Sequence, residues 1–229
     1  MSMAELNCSG SGKKHRIFLV DDHPLIRQGL RLLINGEDDL SICGEADESC
    51  PALQSILITR PDGLIVDISL NGPDGLELVK DVRGRFSALP ILVLSMYDEL
   101  IYAERALRAG ANGYIMKQEA SQKVLLAIRR ILGREIYVSD SVAAKMLHQY
   151  VNGATSCAHS LIGDLTDREL EVFRLIGHGH STRQIAEDLH LSIKTVETYQ
   201  AHIKEKLSLR SARELIQHAV RWTMGDRAA

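Results

Sequence analysis

Three acids, a serine and a lysine stand at the ends of short apolar segments of this 229-residue chain. They are Asp21, Asp22, Asp67, Ser95 and Lys117. Taken one at a time, each acid is also explained as a helix cap or a loop carboxylate. Together in one pocket, three carboxylates would repel one another and favour protonation, unless a divalent cation offsets their charge. Since hard oxygen ligands suit Mg²⁺, the set predicts a magnesium site, where an aspartate oxygen can attack phosphorus.

The elements that bring these side chains together are five apolar segments that alternate with amphipathic ones. The apolar segments are Ile17–Val20, Leu40–Cys43, Leu64–Val66, Ile91–Leu94 and Gly113–Met116. This alternation predicts an α/β domain with a doubly wound parallel sheet. Ligands bind beyond the carboxyl ends of the strands in such a sheet. We therefore expect Asp67 on the central strand, with the acidic pair on one side and Lys117 and Ser95 on the other, where they can stabilise a transferred phosphoryl group.

Composition excludes several classes of protein. Apolar residues are 45% of the chain and charged residues 25%, as in ordinary globular proteins. The net charge of −3 gives no overall attraction to nucleic acid or anionic membranes. The four cysteines show no CxxC spacing, which is typical of reduced thiols and predicts a cytoplasmic protein. No apolar stretch approaches the roughly 20 residues that span a bilayer, so we expect no membrane partner.

The pattern changes in the last third of the chain, where helix-start signals replace strand signals. Three capping-box patterns precede apolar runs: Thr166–Glu169, Ser181–Gln184 and Ser211–Glu214. They predict a second, all-α domain of four helices. We divide the chain into a disordered tail (1–14), a first domain (15–134), a linker with a short helix (135–160) and the helical domain (161–226).

Within the helical domain, a helix-turn-helix is predicted from Thr182–Leu189, a turn at His190–Leu191, and a second helix capped by Ser192. An apolar stripe of Val196, Ile203 and Leu207 on that second helix faces the core, so the opposite face is exposed and can meet base edges of double-stranded DNA. The face expected to read bases comprises Lys194, Glu197, Thr198 and Ala201. The flanks expected to contact phosphates comprise Thr195, Tyr199, His202 and Lys206. A structural helix with a solvated polar face is the alternative.

Several motifs carry a resemblance to a known family. They are Phe18–Pro24, Ile65–Ile68, Leu94–Met96, Gly113–Lys117, and the stretches Leu165–Glu169 and Lys204–Leu207. Residues 15–133 resemble a bacterial response-regulator receiver domain, which has a flavodoxin-like (βα)5 fold. Residues 161–224 resemble the LuxR-type helix-turn-helix. Over most of its length the chain is therefore similar to the NarL/FixJ family of two-component response regulators.

The resemblance implies roles for individual residues. A partner histidine kinase would phosphorylate Asp67, with Mg²⁺ as the cofactor. The ion would be held directly by Asp22, Asp67 and the backbone carbonyl of Ser69, with Asp21 acting through water. The switch pair would be Ser95 and Tyr114: the hydroxyl moves to the phosphoryl group, and the ring rotates inward behind it.

We expect the protein to be a transcription factor controlled by phosphorylation, and not an enzyme. Phosphorylation would free the helical domain to dimerise on promoter DNA, through Arg213–Met224 and its apolar stripe of Ile216, Val220 and Met224. RNA polymerase is a further expected partner. One alternative is a DNA-binding regulator that works without phosphate. Another is a metal-dependent phosphatase, although Ser69 stands where a second catalytic acid would be needed.

Overall fold

The computed structural model consists of two compact units, Met1–Ala143 and Ala144–Ala229. It describes residues 13–70, 75–119, 121–151, 162, 165–189 and 191–225. The first twelve residues of the expected tail (1–14) and residues 152–160 of the expected linker lie outside this range.

The first unit is built on a five-stranded parallel sheet with the strand order β2-β1-β3-β4-β5. The strands are β1 (His15–Val20), β2 (Leu40–Ala46), β3 (Gly63–Asp67), β4 (Ile91–Ser95) and β5 (Gly113–Met116). The helices are α1 (Pro24–Asn35), α2 (Ser49–Thr59), α3 (Gly75–Arg85), α4 (Glu99–Ala109) and α5 (Ser121–Leu132). Every predicted apolar segment falls within a strand, so the doubly wound (βα)5 fold is confirmed.

The central strands are buried along their whole length, as a sheet covered on both faces requires. Val66 pairs with Val93, and Asp67 pairs with Leu94 in the same register. On one face, side chains of the sheet pack with those of α1 and α5; this core includes Leu19, Ile34, Ile65, Leu92, Ile115 and Ile128. The register brings the ends of β3 and β4 level, which places their terminal polar residues side by side.

The first unit extends beyond residue 134, where the sequence analysis ended it. The amide of Tyr137 donates to the carbonyl of Asn112 at 3.0 Å, and its carbonyl accepts from the amide of Tyr114 at 2.9 Å. Val142 is buried, and the hydroxyl of Ser139 donates to Glu99 at 2.6 Å. Residues 135–143 thus lie along the edge strand β5, and the predicted short helix, α6 (Asp140–Val151), begins within them. Main-chain pairing with an edge strand leaves little pattern in the sequence, which explains the difference.

From residue 165 onward the described residues form four helices, as expected. They are α7 (Asp167–Gly177), α8 (Thr182–Asp188), α9 (Ile193–Lys206) and α10 (Ala212–Gly225). The first two predicted capping boxes are confirmed at the starts of α7 and α8. The third is half formed: Ser211 accepts from the amide of Glu214, but the Glu214 carboxylate accepts from the amide of Arg210 instead of returning to Ser211.

The core of the second unit lies where α7 crosses α10. The ring of Phe173 lies 5.6 Å from that of Trp222 and 6.0 Å from that of His218. A Cβ on Gly177 would lie only 2.6 Å from the carbonyl oxygen of Ala219, so the close crossing requires glycine there. This packing provides the base on which α8 and α9 are held.

Candidate functional site

The acids predicted from the sequence meet at the carboxyl edge of the sheet. Asp21 and Asp67 are each 1% exposed, and ligand atoms of Asp21, Asp22, Asp67 and His23 all lie within 4.8 Å of one another. Asp67 is the last residue of β3. The first residue of α3, Gly75, lies so close to it that a Cβ on Gly75 would overlap the carbonyl of Asp67. His23 was not among the site residues predicted from the sequence. Its position directly after the acidic pair was the available signal.

Lys117 links two of these acids. Its Nζ lies 2.7 Å from Oδ2 of Asp21 and 2.7 Å from Oδ2 of Asp67, and its side chain is 2% exposed. The amide of Lys117 donates to the carbonyl of Ser95 at 2.7 Å, which joins the ends of β4 and β5. The buried ammonium therefore offsets part of the negative charge and touches the oxygen expected to carry a phosphoryl group.

The Asp67 carboxyl has an elevated pKa. Burial raises it to about 6, the nearby Lys117 ammonium acts in the opposite direction, and the Asp21 carboxylate adds to the rise. Oδ1 of Asp67 also accepts a hydrogen bond from the amide of Ser69 at 3.1 Å. Asp67 is thus ionised at neutral pH, as a nucleophile requires, in surroundings that favour additional positive charge.

The carboxylate oxygens of this pocket are suited to bind a divalent cation. Oδ2 of Asp21 and Oδ1 of Asp22 are buried and accept no well-formed hydrogen bond, although Lys117 and His23 lie close to them. Among the described side chains of this group, one lysine contacts two of the three carboxylates. Hard oxygen ligands with uncompensated charge are the chemistry that Mg²⁺ prefers. Residues 71–74, between β3 and α3 in the sequence, lie outside the described part.

The expected switch pair converges on one residue of the β4–α4 loop. Oγ of Ser95 accepts from the amide of Tyr97 at 3.1 Å, and the hydroxyl of Tyr114 donates to the carbonyl of Tyr97 at 2.8 Å. Both side chains are buried, and burial raises the pKa of the Tyr114 phenol well above its usual range. The ring of Tyr114 is buried, with 1% exposure, in this structure without a phosphoryl group.

On α9 the structure separates an apolar and a polar face. The predicted stripe of Val196, Ile203 and Leu207 is buried. Ser192 caps the helix by accepting from the amide of Thr195 at 3.0 Å, as predicted, whereas the predicted turn residue His190 lies outside the described residues. The expected reading face is exposed at Lys194, Glu197, Thr198 and Ala201, as are His202 and Lys206, while Thr195 and Tyr199 are half-buried.

A buried glutamate that the sequence analysis used only as a helix cap also anchors the flank of α9. Oε2 of Glu169 accepts from Nζ of Lys206 and from the amide of Thr166, both at 2.7 Å, and Oε1 lies 3.7 Å from Nδ1 of His202. Burial raises the pKa of Glu169, but the bonds from Lys206 and Thr166 lower it more, so the net shift is downward. Lys206, one of the expected phosphate-contacting residues, is therefore held by this carboxylate, and His202, another, lies beside it.

Comparison with known proteins identifies a family for the sequence of each of the two units. Residues 17–129 match the response regulator receiver domain, and residues 164–219 match the luxR family of bacterial regulatory proteins. Oxygen regulatory protein NreC of Staphylococcus epidermidis is 34% identical over 211 residues, which cover 90% of this chain and 97% of the relative. The chain belongs to the NarL/FixJ family of response regulators.

Solved structures share the architecture of this response regulator. The response regulator ChrA of a heme-sensing two-component system is 29% identical, with a TM-score of 0.50 over 92% of this chain and 98% of ChrA. RcsB of Salmonella enterica serovar Typhimurium, bound to the promoter rprA in the presence of phosphomimetic BeF₃⁻, is 24% identical, with a TM-score of 0.57 over 91% of this chain and 99% of that one. The second likeness concerns the fold alone. Among the described residues of this response regulator, no helix is long and apolar enough to cross a membrane.

Proposed function

We propose that this response regulator accepts a phosphoryl group on Asp67 from a histidine kinase, and that phosphorylation controls its dimerisation and its binding to promoter DNA. The observation that carries the proposal is the contact between Oδ2 of Asp67 and Nζ of Lys117 at the end of the central strand. A nucleophilic oxygen, a buried ammonium, a buried hydroxyl on Ser95 and two further acids share this one edge. That combination suits phosphoryl transfer.

Asp22, Asp67 and the carbonyl of Ser69 would hold the ion directly, with Asp21 acting through water. When bound, Mg²⁺ supplies positive charge to the phosphoryl oxygens. An oxygen of Asp67 attacks phosphorus, and the bond from phosphorus to the kinase histidine breaks. That imidazole, protonated on its other nitrogen, leaves as a neutral base. The ammonium of Lys117 turns from Asp67 to a phosphoryl oxygen, which preserves its charge-assisted contact.

The route from the pocket to the output is a chain of hydrogen bonds. Ser95 holds the amide of Tyr97, and the carbonyl of Tyr97 holds the hydroxyl of Tyr114. The amide of Tyr114 in turn donates to the carbonyl of Tyr137, in the segment that follows α5. When the Ser95 hydroxyl donates to the phosphoryl group, it draws the loop at Tyr97 toward the pocket. The segment 135–143 would respond and so transmit the change along the chain.

The second unit would act on DNA as a pair of copies. On α10, Ile216 and Met224 are 51% and 67% exposed, and Val220 is half-buried, so the predicted stripe is available for pairing. Two copies of α9 would enter successive major grooves, about 34–36 Å apart. Glu197, exposed on the reading face, would accept a hydrogen bond from a cytosine amino group.

A gel-shift titration with a target promoter tests the proposal, with and without a small phosphodonor and Mg²⁺. The phosphodonor is expected to tighten binding by at least about tenfold, or roughly 1.4 kcal/mol. The variant Asp67→Asn should not respond, whereas Asp81→Asn, which alters an exposed aspartate of α3, should respond like the wild type. Equal response of Asp67→Asn would favour the phosphate-independent regulator. Sustained turnover of the phosphodonor, beyond one phosphate per chain, would favour the phosphatase.

A further inference from the structure

The imidazole of His23 lies in the acidic pocket and does not cap α1, although the residue stands at the N-cap position. His23 is the N-cap residue of α1, yet its side chain makes no capping hydrogen bond. Its amide donates to Oδ1 of Asp21 at 2.8 Å, and Pro24 begins the helix directly after it. The main chain is therefore fixed at this point, and the ring is directed toward the carboxylates.

One ring nitrogen faces all three acids. Nδ1 of His23 lies 2.6 Å from Oδ1 of Asp22, 3.4 Å from Oδ1 of Asp21 and 3.9 Å from Oδ2 of Asp67. The contacts of Lys117 are with the other oxygen of Asp21 and with Asp67, so the lysine leaves Asp22 to the imidazole. With a side chain that is 58% exposed, His23 borders the pocket on its solvent side.

A second observation indicates that these oxygens have capacity for a ligand. Oδ2 of Asp21 and Oδ1 of Asp22 are buried without a well-formed hydrogen bond. Asp21 is 1% exposed, so water cannot satisfy it freely. Lys117 and His23 lie 2.7 and 2.6 Å from these oxygens, so one ammonium and one imidazole serve three carboxylates and leave negative charge for a further cation to offset.

We propose that Nδ1 of His23, together with Asp22 and Asp67, ligates a divalent transition-metal ion in this pocket. The proposal rests on the same ion site as the proposed function and adds a nitrogen to its oxygen ligands. Imidazole nitrogen suits borderline transition metals, whereas Mg²⁺ is bound through oxygen. The pocket therefore accepts ions such as Co²⁺, Ni²⁺ or Zn²⁺ through His23, and Mg²⁺ without it.

Calorimetric titration of the full chain with Co²⁺ and, separately, with Mg²⁺ tests this division. In His23→Ala, Co²⁺ affinity is expected to fall by at least about tenfold, or roughly 1.4 kcal/mol. Mg²⁺ affinity is expected to change much less than Co²⁺ affinity, since Mg²⁺ uses the oxygen ligands alone. His180→Ala is the matched control, because the Nδ1 of His180 also lies against a carboxylate, that of Asp188 at 2.9 Å. Unchanged Co²⁺ affinity in His23→Ala, or an equal loss for both ions, would overturn the assignment.

A spectroscopic readout separates ligation from a structural effect. An imidazole bound to Co²⁺ through Nδ1 gives a strongly shifted, solvent-exchangeable proton resonance from its Nε2–H group. This resonance should be present in the wild type and His180→Ala, and absent in both His23→Ala and His23→Gln. Its absence from the wild type would exclude direct ligation. Phosphorylation of Asp67 in Mg²⁺, followed by intact mass, reports on the proposed function alone, so the two ideas can fail independently.

Discussion

The hydroxyl of Tyr114 donates a hydrogen bond to the carbonyl of Tyr97 across 2.8 Å, in the buried interior between β5 and the β4–α4 loop. The ring of Tyr97 stacks in turn on that of Tyr102, with centroids 4.8 Å apart. Tyr114 therefore ties the edge strand to the loop that follows Ser95. Any change at Ser95 acts on an arrangement in which the tyrosine is already inside.

Tyr114→Phe is expected to lower the free energy of unfolding of the first unit by about 1–2 kcal/mol, because the buried carbonyl of Tyr97 loses its donor. Urea titration of the unfolding transition, together with hydrogen exchange of the β5 amides, measures this change. Tyr137→Phe is the control. The main chain of Tyr137 makes the hydrogen bonds described above, and its ring lies 5.9 Å from the guanidinium of Arg130, a contact that phenylalanine keeps. A loss as large in Tyr137→Phe would contradict the argument.

Ser139→Ala removes the hydrogen bond to Glu99 that holds the segment 135–143 on the first unit. The amide of Tyr137 should then exchange with solvent about tenfold faster, because a lost bond of about 1.4 kcal/mol favours local opening. Promoter affinity without phosphodonor should rise, while the phosphorylation rate of Asp67 stays the same. Ser141→Ala, at an exposed neighbouring position, should change neither. Unaltered exchange at Tyr137 in Ser139→Ala would show that the bond does not hold the segment.

Glu169 makes the stability of the second unit dependent on pH. Its pKa is lowered in the folded state, so its stabilising effect is complete above the unfolded pKa of about 4.3 and is lost as the pH falls through the folded value. Glu169→Gln should reduce the free energy of unfolding at neutral pH by about 1–2 kcal/mol and flatten its decline in acid. Fluorescence of Trp222, the single tryptophan, reports this unit during urea unfolding. Glu205→Gln, on the exposed side of α9, should leave the pH dependence as it is.

Glu197→Ala is expected to relax base preference at one operator position, with a loss of discrimination of about 1–3 kcal/mol. The dependence of affinity on salt should not decrease, because no phosphate contact is removed. Lys206→Ala should instead weaken binding to all sequences and reduce the salt slope by about 1. Selection of bound sequences from a random pool, with titrations at several salt concentrations, distinguishes the two. Loss of the salt slope in Glu197→Ala would place this residue away from the bases.

Much of the architecture was predictable because it depends on local patterns. Strands that are buried on both faces must be continuously apolar, so the central segments ending at Asp67 and Ser95 were recognisable. The capping boxes of α7 and α8 depend on residues three positions apart, and both were confirmed. At Glu214 the same pattern was misleading, because the amide of Arg210 competes for the carboxylate.

The sequence by itself determined which residues can do chemistry and at which end of the sheet they gather, since strand order and polarity follow from alternation and connection rules. Only the tertiary structure decided how those side chains are shared. It placed His23 among the acids, divided Lys117 between Asp21 and Asp67, and joined Lys206 to Glu169, 37 positions away. Such pairings depend on the distance and burial of groups remote in the chain, and residue spacing along one chain does not encode them.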